Sequence, residues 1–273
     1  MIAFNGQYLS AASHGNMRIT AACLGGQWVI APWLTTQQAI IAAFGAEEGI
    51  AVISRTNDYL NQIATTDPQR AQQLAMFINE DPLLVCSLVE TSKVRGIYPN
   101  AVGNYFDTGY NPTIAPTAEV LMRARNNNDT DYWGNSQIEG SCYYANFEKT
   151  LSYYRYGSST SQNTGIALPI GELLQWSVGK EVRVNGELRY TCSRNYTPNA
   201  SQKSIRIFNS WRNYPASFDL ARFALRDGED IARDFVPYRD PRTGEMELLD
   251  IVTLTLATRV GTFTEQLTDK THA

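Results

Sequence analysis

The sequence predicts an α+β chain dominated by β-structure, with a C-terminal antiparallel β-sandwich after a small hairpin and a short helical unit. Three observations predict it. Apolar residues recur at helical spacing between about residues 35 and 94, they alternate with polar ones beyond about residue 97, and aromatics thicken after residue 100. The change of period divides the 273 residues into an N-terminal region, 1–96, and a sandwich, 97–273.

Residues 1–33 are short apolar stretches broken by glycine. In "MRITAACLGGQWVIAPW", Met17, Ile19, Ala21 and Cys23 alternate with Arg18, Thr20 and Ala22, and "LGG" turns the chain into "QWVIAPW". A hairpin this small buries no core of its own, so it reads as a docking piece. From residue 35 the period becomes helical. "TTQQAIIAAFG" offers Thr35 or Thr36 as an N-cap and stops at Gly45, and "SRTNDYLNQIATT" sets Tyr59, Leu60 and Ile63 on one face. Asp67-Pro68 and Asp81-Pro82 each place an N-cap residue before a proline at the first helical position. About four short helices with short joints result.

The remainder carries hairpin signals. "EVRVNGELRYT" alternates around Asn185-Gly186, and "FDLARFALRDGEDIARDFVPY" alternates around Asp227-Gly228. Polar-faced hairpins of this kind belong to antiparallel sheets. Two segments within this stretch also carry a resemblance. "YFDTGYNPT" (105–113) and the closing run from "SIRIFNSW" through "RDFVPYRDPRTGEMELLDIVT" are similar to the opening and closing motifs of laminin-G-like, concanavalin A-like domains found in bacteriophage structural proteins. The resemblance implies a jelly-roll sandwich of two curved sheets over about residues 97–265. It implies no single activity, since that fold hosts lectins, hydrolases and inert modules.

Hydrolases of that fold class carry Glu-x-Asp-x-x-Glu on a strand, and "EMELLD" (245–250) has the acid spacing with the residues permuted. Glu245 and Glu247 share a face about 7 Å apart, near the range of a catalytic pair. Asp250 falls at an odd offset, on the other face. Arg239 and Arg242 in the preceding "RDPRTG" read as partners that keep these acids ionised. The expectation is a non-enzyme with no catalytic residue. Only His14 and His272 are present, both near the ends, which leaves no histidine triad and no histidine-rich metal site. "RNNNDTD" (125–131) has the oxygen donors for calcium but not the EF-hand spacing, and such clusters commonly make turns. No metal and no cofactor are expected.

Sugars dock on aromatic faces framed by hydrogen-bonding polar side chains. Trp133 and Asn135 in "DYWGNS", Tyr153 and Arg155 in "YYRYGSS", and Trp176 are therefore the glycan-binding candidates. In "LSYYRY", Tyr154 and Tyr156 share one face and Tyr153 and Arg155 the other, so one set is core. The net charge of −4, with no basic run, disfavours nucleic acid. The first fifteen residues lack the basic and apolar parts of a secretory signal, and no apolar run approaches the ~20 residues of a membrane span. The resulting expectation is a bacteriophage virion structural protein (fibre, decoration or tail-associated), made in the host cytoplasm. Residues 1–96 would dock on capsid or tail proteins, the chain would assemble as a homo-oligomer, a trimer above other orders, and the sandwich would face a host-surface glycan. A carbohydrate-active glycoside hydrolase is the alternative.

Overall fold

A computed structural model describes residues 2–4, 7–9, 13–14, 17–18, 22–24, 27–29, 34–126, 130–135, 142–148, 150–158, 161–198, 203–209 and 216–270. They fall into two compact units: residues 1–94 with 238–244, and residues 95–237 with 245–273. The sequence reading set its single boundary at 96/97 and did not assign residues 238–244 to the N-terminal part.

The first unit opens with three antiparallel hairpins. β1 (Ile2–Phe4) pairs with β2 (Gln7–Leu9), β3 (Ser13–His14) with β4 (Met17–Arg18), and β5 (Ala22–Leu24) with β6 (Gln27–Val29). The innermost pairs, Phe4↔Gln7, His14↔Met17 and Leu24↔Gln27, recur every ten residues. In the sequence the intervening dipeptides are Asn5-Gly6, Gly15-Asn16 and Gly25-Gly26, compositions that favour tight hairpins. One hairpin was expected. The segment is instead a threefold ten-residue repeat.

Four helices follow. α1 (Leu34–Phe44) ends at Gly45, whose φ of 85° lies in the left-handed region open to glycine. α2 (Ala46–Ala64) starts at once and buries Val52, Thr56 and Leu60 at intervals of four. α3 (Pro68–Glu80) is capped as its sequence predicts, with the Arg70 amide donating to Asp67 Oδ1 at 2.9 Å. The second Asp-Pro step behaves differently. Asp81 makes no side-chain cap; its Oδ2 accepts instead from the Arg239 amide at 2.7 Å, and the helix beyond it shrinks to a 3-10 turn (Pro82–Leu84) and α4 (Val85–Leu88). Segment 238–244 is held here too: Tyr238 packs edge-on to Phe77 at 5.3 Å and donates to Glu80 at 2.7 Å.

The second unit is built from antiparallel strands: β7 (Lys93–Pro99), β8 (Tyr105–Asp107), β9 (Pro116–Ala124), β10 (Thr130–Gly134), β11 (Cys142–Glu148), β12 (Thr150–Ser158), β13 (Leu173–Val178), β14 (Glu181–Val184), β15 (Glu187–Thr191), β16 (Arg206–Ile207), β17 (Phe218–Asp227), β18 (Asp230–Arg239), β19 (Met246–Asp250), β20 (Thr255–Leu256), β21 (Thr258–Val260) and β22 (Phe263–Asp269). One sheet has the order β12-β11-β10-β16-β8-β21. The larger runs β15-β14-β13-β9-β17-β18-β19-β20, with β7 on β17 and β22 on β7. The inward side chains of both make one core, the arrangement of a sandwich. Aromatic pairs cross it: Phe106 stacks on Phe263 at 4.2 Å, Tyr132 on Phe218 at 4.2 Å, and Trp133 meets Phe223 edge-on at 5.7 Å. Each such pair adds about 0.5–1.5 kcal/mol beyond its area. Tyr143 and Tyr154 also cross from the smaller sheet, donating to the Val178 and Gly179 carbonyls beside β13.

Asn185 (φ 50°) and Gly186 (φ 82°) form the expected turn between β14 and β15. The other turn sits one residue later than expected. Asp227 pairs with Asp230, so Gly228 and Glu229 make the loop and Asp227 remains in the strand.

Candidate functional site

Most of the residues expected to meet a glycan are core. Trp133 and Trp176 are fully buried and Asn135 is 1% exposed. Asn135 Oδ1 accepts from the Tyr143 amide at 2.8 Å, tying the end of β10 to β11. A buried indole offers no face to a sugar, so these three are corrected from ligand-binding to structural residues. On β10 a register shift between Asp131 and Trp133 lets both Tyr132 and Trp133 enter the core, while on β13 alternation puts Leu174, Trp176 and Val178 in the inward row. The same rule sorts "LSYYRY": Tyr154 and Tyr156 are the buried set. Arg155 faces away, half-buried, with Nε donating to Ser161 at 3.0 Å. Tyr153 is placed by its backbone opposite Asn146; its side chain lies outside the described residues. Residues 127–129 of the acidic loop lie outside them as well.

The three acids of "EMELLD" are tied up in ion pairs and hydrogen bonds. Arg259 spans two of them, Nη1 to Glu245 at 2.9 Å and Nε to Glu247 at 2.8 Å. Asp250, 1% exposed, accepts from the Asp234 and Val252 amides at 3.0 Å each and from Thr253 Oγ1 at 2.8 Å. Arg242 pairs with Asp240, and Arg239 Nη1 donates to the Gly244 carbonyl. A shared guanidinium thus pins the two glutamates side by side as one ion-paired group.

The outward row of the larger sheet presents a different arrangement. On β9, Ala118, Val120 and Met122 point inward, leaving Glu119, Leu121 and Arg123 on the other side. Cross-strand pairing sets Gln175 and Arg222 beside Leu121, and Ala224 beside Glu119. Leu121 and Ala224 are shorter than the polar chains around them, so the sheet dips. The depression, about 220 Å³, is open to solvent and lined by Glu119, Leu121, Gln175, Arg222 and Ala224 together with the Val120 backbone strand. Its rim is fixed by ion pairs, Arg222 Nε to Asp234 Oδ1 at 2.8 Å and Arg226 Nε to Glu119 Oε1 at 2.7 Å. Beyond it Arg125 lies over the Tyr98 ring at 3.5 Å and donates to Asp219 at 2.7 Å. Burial raises the Asp219 carboxyl above its ordinary value, and the Arg125 contact offsets this only in part. A small apolar floor with amide, guanidinium and carboxylate edges can hold a sugar ring and bond its hydroxyls.

Sequence reasoning passed over these residues because it sought aromatics. The usable signal was the pattern "TAEVLMRAR", in which Glu119, Arg123 and Arg125 mark the polar face of an otherwise apolar strand.

The chain matches no known family model and no curated protein.

Proposed function

We propose that the protein is a non-catalytic structural component of a bacteriophage particle whose jelly-roll sandwich binds a host-surface glycan on the outer face of its larger sheet. The observation that carries the glycan reading is the open depression around Leu121, with Gln175 and Arg222 at its sides. The bacteriophage reading rests on the resemblance of residues 105–113 and the closing hairpin, and on the three N-terminal hairpins, whose short strands suit attachment to other virion proteins better than independent folding. The acids Glu245, Glu247 and Asp250 serve the fold, which favours binding over hydrolysis. Among the described residues no helix is long and apolar enough to cross a membrane.

A glycan array probed with the full chain, followed by calorimetry on the best binder, tests the reading. Gln175→Ala removes one hydrogen-bonding edge and Leu121→Trp fills the floor; both are expected to weaken binding, the first by about fivefold to tenfold, the scale of one neutral hydrogen bond. Binding indifferent to both variants, or sugar release that disappears in Glu247→Gln, would defeat it.

A further inference from the structure

On the outer face of β9 and β17 and just past the end of β9 stand Arg123, Arg125, Arg222 and Arg226, and three of these have a carboxylate of their own: Arg226 with Glu119, Arg222 with Asp234, and Arg125 with Asp219. Arg123 is the fourth. It lies on β9 between Leu121 and Arg125, one pleat beyond the depression, with Leu173 and Asp219 as its cross-strand neighbours. It is 9% exposed, and its Nε and Nη2 are buried without a hydrogen-bond partner among the described residues. Asp219 attracts it through space, yet Asp219 Oδ1 already takes both Arg125 nitrogens. The Arg123 fork is thus left without a hydrogen-bonded anion of its own among the described residues.

Burying an unpaired charge is costly, and a protein that holds one in a rigid sheet holds it for something. The guanidinium fork matches planar or tetrahedral anions such as carboxylate and sulfate, two parallel N–H bonds at a time. Leu121 and Arg123 share a face about 7 Å apart, so a saccharide seated over Leu121 and Gln175 brings a ring substituent to Arg123. We infer that Arg123 is an anion subsite taking the carboxylate or sulfate group of an acidic saccharide. The saccharide part rests on the glycan reading above; the anion subsite does not.

The test uses the full-length chain, with Arg123→Gln and Arg123→Lys beside it. Thermal melting is followed in sodium sulfate and sodium acetate against sodium chloride at matched ionic strength. Sulfate or acetate is expected to raise the melting temperature of the parent protein and not of Arg123→Gln. Without anion, Arg123→Gln is expected to melt no lower than the parent, because it deletes a buried unpaired charge. Calorimetry then compares uronic-acid and sulfated oligosaccharides with neutral ones of equal length. Acidic oligomers are expected to bind more tightly, with Arg123→Gln losing about tenfold to a hundredfold, the worth of a charge-assisted hydrogen bond, and Arg123→Lys regaining part of it. An anion response equal in parent and Arg123→Gln overturns the subsite, as does an Arg123→Gln protein destabilised equally in every salt, which would make Arg123 a structural partner of Asp219. If neutral sugars bind through Gln175 and Arg123 has no effect, the glycan reading stands and this inference falls. If small anions act through Arg123 and no saccharide binds, the subsite stands and the glycan reading falls.

Discussion

Asp227 is the residue at which the two sequence motifs meet. Its carboxylate, 5% exposed, accepts from the Thr113, Ile114 and Ala115 amides at 2.6–2.8 Å, from Thr113 Oγ1 at 3.0 Å and from the Tyr110 hydroxyl at 2.8 Å. "DG" in the sequence announced a turn, and a turn is there, but nothing local could reveal a partner more than a hundred residues away. Burial pushes this carboxyl upward, and the Thr113 and Ile114 amides, the Tyr110 hydroxyl and the Ala115 amide outweigh that and hold it below its ordinary value. Burial, and then the same contact with Asp227, push the Tyr110 phenol up to about 12. A carboxyl depressed on folding contributes stability above its unfolded pKa of about 3.9, and that contribution drains away as pH falls through the lower folded value. Asp227→Asn turns an amide donor toward three amide donors, and should cost about 2–3 kcal/mol at pH 7, the price of buried groups left unpaired. Its acid limb should also be flatter than the parent's below pH 5. Denaturant melts of both proteins between pH 3 and 7 check this. Parallel curves would mean that the carboxylate is not held as described.

At the scale of elements, alternation and turn dipeptides were readable and the assignment of jobs was not. Asn185-Gly186 behaves as its sequence says because a two-residue loop depends on its own backbone alone. The two Asp-Pro steps look alike, yet only Asp67 caps a helix, while Asp81 is spent on the Arg239 amide 158 residues distant. They should therefore respond differently. Asp67→Asn keeps a capping oxygen and is expected to be neutral, and Asp67→Ala to cost about 1 kcal/mol, both followed by the helical signal at 222 nm. Asp81→Ala should cost about 1–3 kcal/mol, and Asp81→Asn, which in a cap would be harmless, should recover only part, since a neutral amide accepts more weakly than a buried carboxylate. Equal tolerance of asparagine at both positions would show that both are caps. The aromatic candidates failed for a related reason: "DYWGNS" does not reveal the register shift after Asp131 that turns both Tyr132 and Trp133 inward, onto Phe218 and Phe223 of a strand some ninety residues later.

For the molecule as a whole, the change of period near residue 94 was visible, and the membership of residues 238–244 was not, because it rests on contacts with Phe77, Glu80 and Asp81 far back in the chain. The most legible feature was also the one overlooked: "IAFNGQYL", "ASHGNMRI" and "ACLGGQWV" align at a period of ten, and a search for repeats would have found it. A single two-stranded hairpin is marginal in water, and repeats of this kind gain stability from neighbours that cover their faces. Phe4, Leu24, Trp28, Ile30 and Trp33 lie in this segment, with too few large residues around them to make a core of their own. Leaving such area wet forfeits ~25 cal/mol for each Å², and sister copies in closed symmetry are the usual remedy. The full chain should therefore be an oligomer in light scattering, a trimer before other orders, and a chain starting at Leu34 should be a monomer that keeps its circular dichroism. Trp28→Ala and Trp33→Ala together should shift the full chain toward monomer without lowering the melting temperature of its β-rich part. A monodisperse full-length monomer, or an oligomer that survives removal of residues 1–33, would show that the repeat does not join the copies.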